Sequence, residues 1–198
     1  MRWTGVTFLM MSMGVFSQVE IEDGHMVVKR PVPQAVVSEA VSAVQTLGNE
    51  TLKGNVGFVF ERMYPRLRKR EAKRMGGEEL LKAKIESVPD EMARLGVQLL
   101  GFQAEPAFHG FEIPEFDEWL VFVPTSRRIR GVDSKTGRPM EYEVSDYQVA
   151  IRKKAAGAEW TFINGSTLKV QDLRSLFPSL PADEEDLGLP ELSSRKLR

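Results

Sequence analysis

The chain has 198 residues, of which 42% are hydrophobic and 28% are charged, and its formal net charge is −1. These values are ordinary for a globular domain, and they give no general attraction to nucleic acid or to an anionic membrane surface. The sequence contains no cysteine, which excludes disulfides, a thiolate nucleophile and metal sites built on cysteine. One domain with a substantial core is therefore expected.

The first 17 residues have the layout of a secretory signal peptide. Arg2 precedes an uncharged apolar stretch from Trp3 to Phe16, and small or polar residues follow. Cleavage near Ser17 would export the mature chain to the periplasm or the medium. The alternative is a buried N-terminal element, although the stretch is not amphipathic and is too short to span a bilayer comfortably.

The remaining chain divides into three predicted regions. Residues 18–34 are expected to form an N-terminal extension, with a small hairpin around Asp23-Gly24 followed by a proline-containing linker. The main domain is expected over residues 35–170. A short helix and an extended tail are expected over residues 171–198, with about the last eight residues disordered.

Three helices are predicted at the start of the main domain. The spacing of apolar residues places them over residues 35–47, 56–67 and 78–95. Gly48 is expected to end the first helix. A proline should break or kink the second helix near Tyr64, and another should bend the third.

After Gly96 the apolar pattern changes to the alternation that is typical of strands. Four antiparallel strands are predicted: one that curves at Gly101, two that form a long hairpin, and a last one in the run "WTFINGS" (160–166). Because the helices come first and the sheet follows, the fold class is predicted to be α+β.

This order of elements resembles the nuclear transport factor 2-like superfamily, above all its exported bacterial members. The motifs that carry the resemblance are "ERMYP" (61–65), "MGGEELL" (75–81), "GV" (96–97), "WTFING" (160–165) and "LFPSLPAD" (176–183). The resemblance implies a cone-like fold, in which three N-terminal helices pack in the concave face of a strongly curved antiparallel sheet. It also implies a pocket at the open end of the cone. It does not decide the function, since such folds serve as enzymes, ligand binders, dimerisation modules and scaffolds.

Two carboxylates in the strand "MEYEVSDYQVAI" (140–151) are candidate catalytic residues. Strand alternation puts Asp146 and Glu143 on opposite faces. A carboxylate that is buried in an apolar pocket has a raised pKa and can serve as an acid or a base. The alternative, which the pattern favours, is a solvated carboxylate paired with an arginine of the neighbouring strand. The arginines available for such pairing are Arg127, Arg128 and Arg130.

Four aromatic residues are candidate ligand-binding residues, because pockets for small molecules are rich in aromatic side chains. They are Tyr64, Trp119, Tyr147 and Trp160. Packing in the core is the more frequent role of such residues. Trp160 in particular is interpreted as a residue that builds the core.

The two histidines, His25 and His109, are not in a spacing that suits a metal site. His109 could serve as a lone general base, although an exposed position at a strand end is favoured. Residues 62–74 contain seven arginines or lysines in 13 positions. This run is interpreted as a solvated helix face, and contact with an anionic partner is the alternative.

The sequence therefore predicts an exported, non-catalytic module that binds a small molecule or an envelope protein. No cofactor, metal, nucleic acid or stable membrane span is expected. The alternative is an enzyme of the hydrolase, isomerase or cyclase kind that uses a buried carboxylate. A homodimer through the outer face of the sheet is a third hypothesis.

Overall fold

The computed structural model describes residues 18–22, 25–29, 32–107, 110–133 and 137–197. The chain divides into two units, Met1–Pro31 and Val32–Arg198. In the first unit, strands β1 (Gln18–Glu22) and β2 (His25–Lys29) pair in antiparallel fashion. The strands of the predicted small hairpin are thus confirmed. The predicted signal peptide lies outside the described residues, as does His109.

The second unit is α+β, as the sequence predicts. In its described part, five helices precede the sheet: α1 (Gln34–Leu52), α2 (Val56–Glu61), α3 (Pro65–Met75), α4 (Glu78–Glu86) and α5 (Val88–Arg94). Six antiparallel strands follow: β3 (Gln98–Ala104), β4 (Gly110–Ile113), β5 (Glu118–Val132), β6 (Pro139–Lys153), β7 (Thr161–Asn164) and β8 (Ser193–Lys196). Helices α6 (Val170–Leu176) and α7 (Glu184–Leu187) lie between β7 and β8.

The first helix is longer than predicted, because it continues through Gly48 to Leu52. Gly48 lies against the ring of Phe102 in β3, and a Cβ atom at this position would lie 1.9 Å from the ring Cδ1. The missing side chain therefore allows the helix and the strand to approach each other closely. The prediction that this glycine ends the helix is wrong.

The two proline breaks are confirmed. Pro65 occupies the first turn of α3, where its missing N–H costs no helical hydrogen bond. The residues of the break join the sheet: the Tyr64 N–H donates to the Phe162 carbonyl at 2.9 Å, and the Phe162 N–H donates to the Arg62 carbonyl at 2.8 Å. The third predicted helix is likewise divided at Ser87 into α4 and α5.

The sheet is built around the long hairpin of β5 and β6. These strands pair in unbroken register from Glu118 opposite Lys153 to Val132 opposite Pro139. β3 pairs with β5, with a register shift at Gly101 where the sequence predicts curvature. The segment after Gly96 was expected to be one strand, but it forms two, β3 and β4, and both pair with β5.

Because the register is unbroken, alternate residues of β5 and β6 lie on opposite sides of the sheet. On one side, Val121, Val123 and Ala150 pack with the buried face of α1. We call this the helix-facing side. On the other, Phe122 and Val149 belong to a cluster with buried residues of the C-terminal segment, residues 170–197. We call this the tail-facing side. The buried residues of that segment are Leu173, Leu176, Phe177, Leu180 and Leu187.

The end of the chain is ordered as a strand. β8 pairs with the first half of β6, with Arg195 opposite Glu143. The Leu197 N–H adds a hydrogen bond of 2.8 Å to the Glu141 carbonyl. The predicted disorder is therefore wrong for residues 193–197.

Candidate binding cavity

A cavity of about 600 Å³ lies between the helices and the helix-facing side of the sheet. Its walls are mainly apolar and come from elements far apart in the chain. They include Leu47 of α1, Val59 of α2, Ile85 of α4, Phe102 of β3 and Phe162 of β7. This volume is within the range of small-molecule sites, and apolar walls with a few polar groups are typical of them.

The polar residues around this cavity carry an excess of positive charge. Four arginines line it, Arg62, Arg70, Arg74 and Arg127, against two carboxylates, Glu71 and Asp172. The first three belong to the basic run at residues 62–74, whose pattern favours a solvated face. Arg70 and Arg74 are four residues apart in α3, which puts them on one side of that helix, whereas Arg62 lies before the break at Tyr64. The spacing of Arg70 and Arg74 is the signal that could have identified these two residues.

Most of these charges are engaged with a neighbour. The Arg74 Nη2 lies 2.9 Å from the Glu71 Oε2, and the Arg62 Nη2 lies 2.5 Å from the Glu159 Oε1. The Arg70 Nη1 donates to the Ser175 Oγ at 2.9 Å. The carboxylate of Asp172 accepts a hydrogen bond from the backbone N–H of Lys169. These contacts fix the rim of the cavity.

Arg127 and Asp146 form the polar centre of the helix-facing side. Asp146 lies opposite Thr125 in the hairpin, and only 2% of its surface is exposed. One carboxylate oxygen accepts from the Thr125 hydroxyl and the other from the Arg127 Nη2. Arg127 lines the cavity with 27% of its side chain exposed. Its Nε is buried and has no hydrogen-bond partner among the described residues.

The second candidate catalytic residue lies elsewhere. Glu143 pairs with Arg195 of β8, and the side chains are 35% and 71% exposed. Both Glu143 and Asp146 border a second cavity of about 500 Å³ next to residues 188–191 of the C-terminal segment. However, the strand alternation separates their side chains, and each has its own arginine partner. The structure therefore does not bring the two carboxylates together as a catalytic pair.

Tyr64 belongs to a buried polar cluster that the sequence pattern does not predict. Its hydroxyl donates to the Glu118 Oε2 at 3.0 Å and accepts from the Arg66 Nε at 2.7 Å. Lys153 completes the cluster, with its Nζ 3.2 Å from the Glu118 Oε1. Glu118 is buried although it begins a strand, and a single sequence gives no signal for that burial. A cavity of about 250 Å³ adjoins this cluster.

The environment of Tyr64 changes its ionisation. Burial raises the pKa of the Tyr64 phenol, because burial penalises the phenolate. The hydrogen bond from Arg66 opposes this effect, whereas the negative charge of Glu118 adds to it. The phenol is therefore held in its neutral form.

None of the four aromatic candidates is among the described residues that line the 600 Å³ cavity. Tyr147 is buried on the tail-facing side, where its ring meets Phe122 edge-on at 5.9 Å. Trp119 lies 4.6 Å from the ammonium of Lys154, and Trp160 lies 4.9 Å from the guanidinium of Arg152. Trp160 also packs against the core cluster of the helix-facing side.

In comparisons with known proteins, no protein-family model and no curated protein matches this sequence. Within the described ranges, no helix combines the length and the apolar character that crossing a membrane requires. Among the same residues, no three histidine, aspartate or glutamate side chains are grouped as metal ligands would be.

Proposed function

We propose that the chain is an exported, non-catalytic module that binds a small ligand, and that it belongs to the nuclear transport factor 2-like superfamily. The observation that carries the ligand-binding proposal is the 600 Å³ cavity with apolar walls and arginines around it. Export is supported by the apolar N-terminal stretch behind Arg2. The family is supported by the motifs quoted above, and the order of helices before the antiparallel sheet is compatible with it.

A non-catalytic role is favoured because the carboxylates around the cavity are already engaged. Of the two carboxylates that line the cavity, Glu71 pairs with Arg74 and Asp172 accepts from the Lys169 backbone N–H. Both oxygens of Asp146, the partner of Arg127, also accept hydrogen bonds from side chains. A general base has to reach a substrate proton with a free oxygen. The engagement of these groups therefore favours binding over proton transfer.

Binding of the neutral, apolar dye Nile red tests the proposed cavity. We expect the full chain to bind the dye with increased fluorescence, and Val59→Trp to weaken binding because the indole occupies part of the cavity. Val88→Trp is the matched control, since Val88 is 41% exposed on α5 and is not among the residues that line the cavity. Circular dichroism establishes that both variants are folded. Absence of dye binding, or equal binding by Val59→Trp, would contradict the proposal.

Export is tested separately. We expect the protein recovered from the periplasm or the medium of a bacterial host to begin near residue 18, as measured by mass spectrometry. Recovery of the uncleaved chain from the cytoplasm alone would overturn the export proposal and leave the cavity proposal unaffected.

A further inference from the structure

Three buried arginine nitrogens lack a hydrogen-bond acceptor among the described residues: the Arg66 Nη2, the Arg127 Nε and the Arg152 Nε. Arg66 lies over the ring of Phe116 at 3.3 Å, and Arg152 lies over the ring of Trp160. Arg127 is the one of the three that lines the 600 Å³ cavity. Buried donors in native proteins are nearly always paired, so an unpaired donor at a cavity requires an explanation.

We propose that the ligand of this cavity is an amphipathic carboxylate whose head group binds Arg127. This inference rests on the proposed ligand-binding function. A guanidinium forms charge-assisted hydrogen bonds with carboxylates, and its planar arrangement of donors matches a carboxylate better than a hydroxyl. The Nε of Arg127 supplies the donor that is still unpaired.

Asp146 holds Arg127 in place for this contact. Its carboxylate accepts from the Arg127 Nη2 and from the Thr125 hydroxyl, and it is almost fully buried. The pair is thus fixed on the rigid β5–β6 hairpin before any ligand binds. Preorganisation of this kind lowers the entropic cost of binding. Asp146 is a positioning residue in this arrangement.

The surroundings of Arg127 fit the remainder of such a ligand. Apolar side chains of Val59, Met63, Phe102 and Phe162 line the same cavity, and they would cover an alkyl chain. The lining arginines outnumber the lining carboxylates by four to two. This balance favours an anionic head group over a cationic one.

Displacement of Nile red by three ligands with the same alkyl chain tests the inference: decanoate, decanol and decylammonium. We expect decanoate to bind about tenfold or more tightly than decanol, because the charged head group pairs with the guanidinium. Decylammonium should bind more weakly than decanol. On addition of decanoate, but not of decanol, the NMR signal of the Arg127 Nε–H should shift.

Variants assign the head-group preference to Arg127. We expect Arg127→Gln to remove the preference for decanoate over decanol. Arg127→Lys, which keeps the charge but loses the Nε donor, should retain part of the preference. Arg130→Gln is the control, because Arg130 lies on the same strand and pairs with Glu141 at 2.8 Å without lining the cavity.

The outcomes separate the two proposals. If decanol binds as tightly as decanoate, the inference about the head group is wrong and the ligand-binding function stands. A preference for decanoate that survives in Arg127→Lys and Arg127→Gln would also overturn the inference. If neither Nile red nor any of the three ligands binds, the proposed function itself fails. Should Arg127→Gln not fold, the response of the Arg127 Nε–H signal to decanoate in the unmodified chain still decides.

Discussion

The hydroxyl of Tyr64 donates to the carboxylate of Glu118 at 3.0 Å, across 54 positions of the chain. Tyr64 lies at the break between α2 and α3, and Glu118 is the first residue of β5. Both are buried. Because a buried carboxylate needs donors, this contact ties the helical region to the beginning of the central hairpin.

Replacing Tyr64 by phenylalanine tests this connection. We expect Tyr64→Phe to lower the free energy of unfolding by about 2 kcal/mol, because Glu118 loses a buried donor and keeps only its ion pair with Lys153. Urea unfolding followed by circular dichroism measures the change. Tyr142→Phe is the control, since the Tyr142 hydroxyl has no hydrogen-bond partner among the described residues. Equal stability of the two variants would show that the contact is not stabilising.

The raised pKa of Tyr64 predicts a specific loss of stability in alkali. The folded state favours the protonated phenol, so its contribution is fully present below the ordinary tyrosine pKa of about 10 and declines as pH rises above that value. In Tyr64→Phe this contribution is absent. The difference in urea midpoint between the unmodified chain and the variant should therefore shrink as pH rises from about 8 to 11. A constant difference over this range would argue against burial of the phenol.

The ion pair between Arg127 and Asp146 should contribute more to stability than the ion pair between Arg195 and Glu143. Asp146→Asn leaves a largely buried guanidinium without its anion. We expect the free energy of unfolding to fall by about 3 kcal/mol. This value is at the low end for buried ion pairs because 27% of the Arg127 side chain is exposed. Glu143→Gln should cost less than about 1 kcal/mol, since that pair is exposed. Thermal and urea unfolding measure both changes. If Asp146→Asn and Glu143→Gln lose the same stability, the burial of Asp146 has little energetic effect.

Local sequence patterns predict the helical regions, and they also predict which residues of a strand lie on the same side of the sheet. Both depend only on the spacing of residues within one element. Pro65 fixed the break near Tyr64, and alternation separated Asp146 from Glu143. The contacts between distant elements were not predictable in this way. Glu118 meets Tyr64 through the packing of a helix break on the sheet, and the cavity draws its walls from six or more elements. No spacing within one element encodes such contacts.

The close contact of Gly48 with β3 is another feature that the local sequence pattern does not predict, and a substitution can test it. Gly48→Ala would improve the helix propensity of α1 by about 1 kcal/mol. The new Cβ, however, would lie 1.9 Å from the ring of Phe102. We expect a net loss of about 1–3 kcal/mol from overpacking.

Gly57→Ala is the matched control for this substitution. Gly57 lies in α2, and a Cβ there would meet only the Asn55 Oδ1 at 3.8 Å. This variant should be as stable as the unmodified chain or more stable. Adding Phe102→Leu, which replaces the ring by a smaller side chain, should recover part of the stability that Gly48→Ala loses. If Gly48→Ala is as stable as Gly57→Ala, helix α1 does not lie as close to β3 as described.

The C-terminal segment gives a further pair of matched substitutions. Leu187 of α7 is fully buried in the core cluster of the tail-facing side, whereas Leu192 next to β8 is 53% exposed. Leu187→Ala should lower the free energy of unfolding by about 3 kcal/mol, because it removes buried methyl groups and leaves a cavity. Leu192→Ala should change it by no more than about 0.5 kcal/mol. Urea unfolding measures both values. Small effects at both positions would mean that the segment is not part of the core. The outer face of the sheet would then be open to the homodimer that was raised as a third hypothesis.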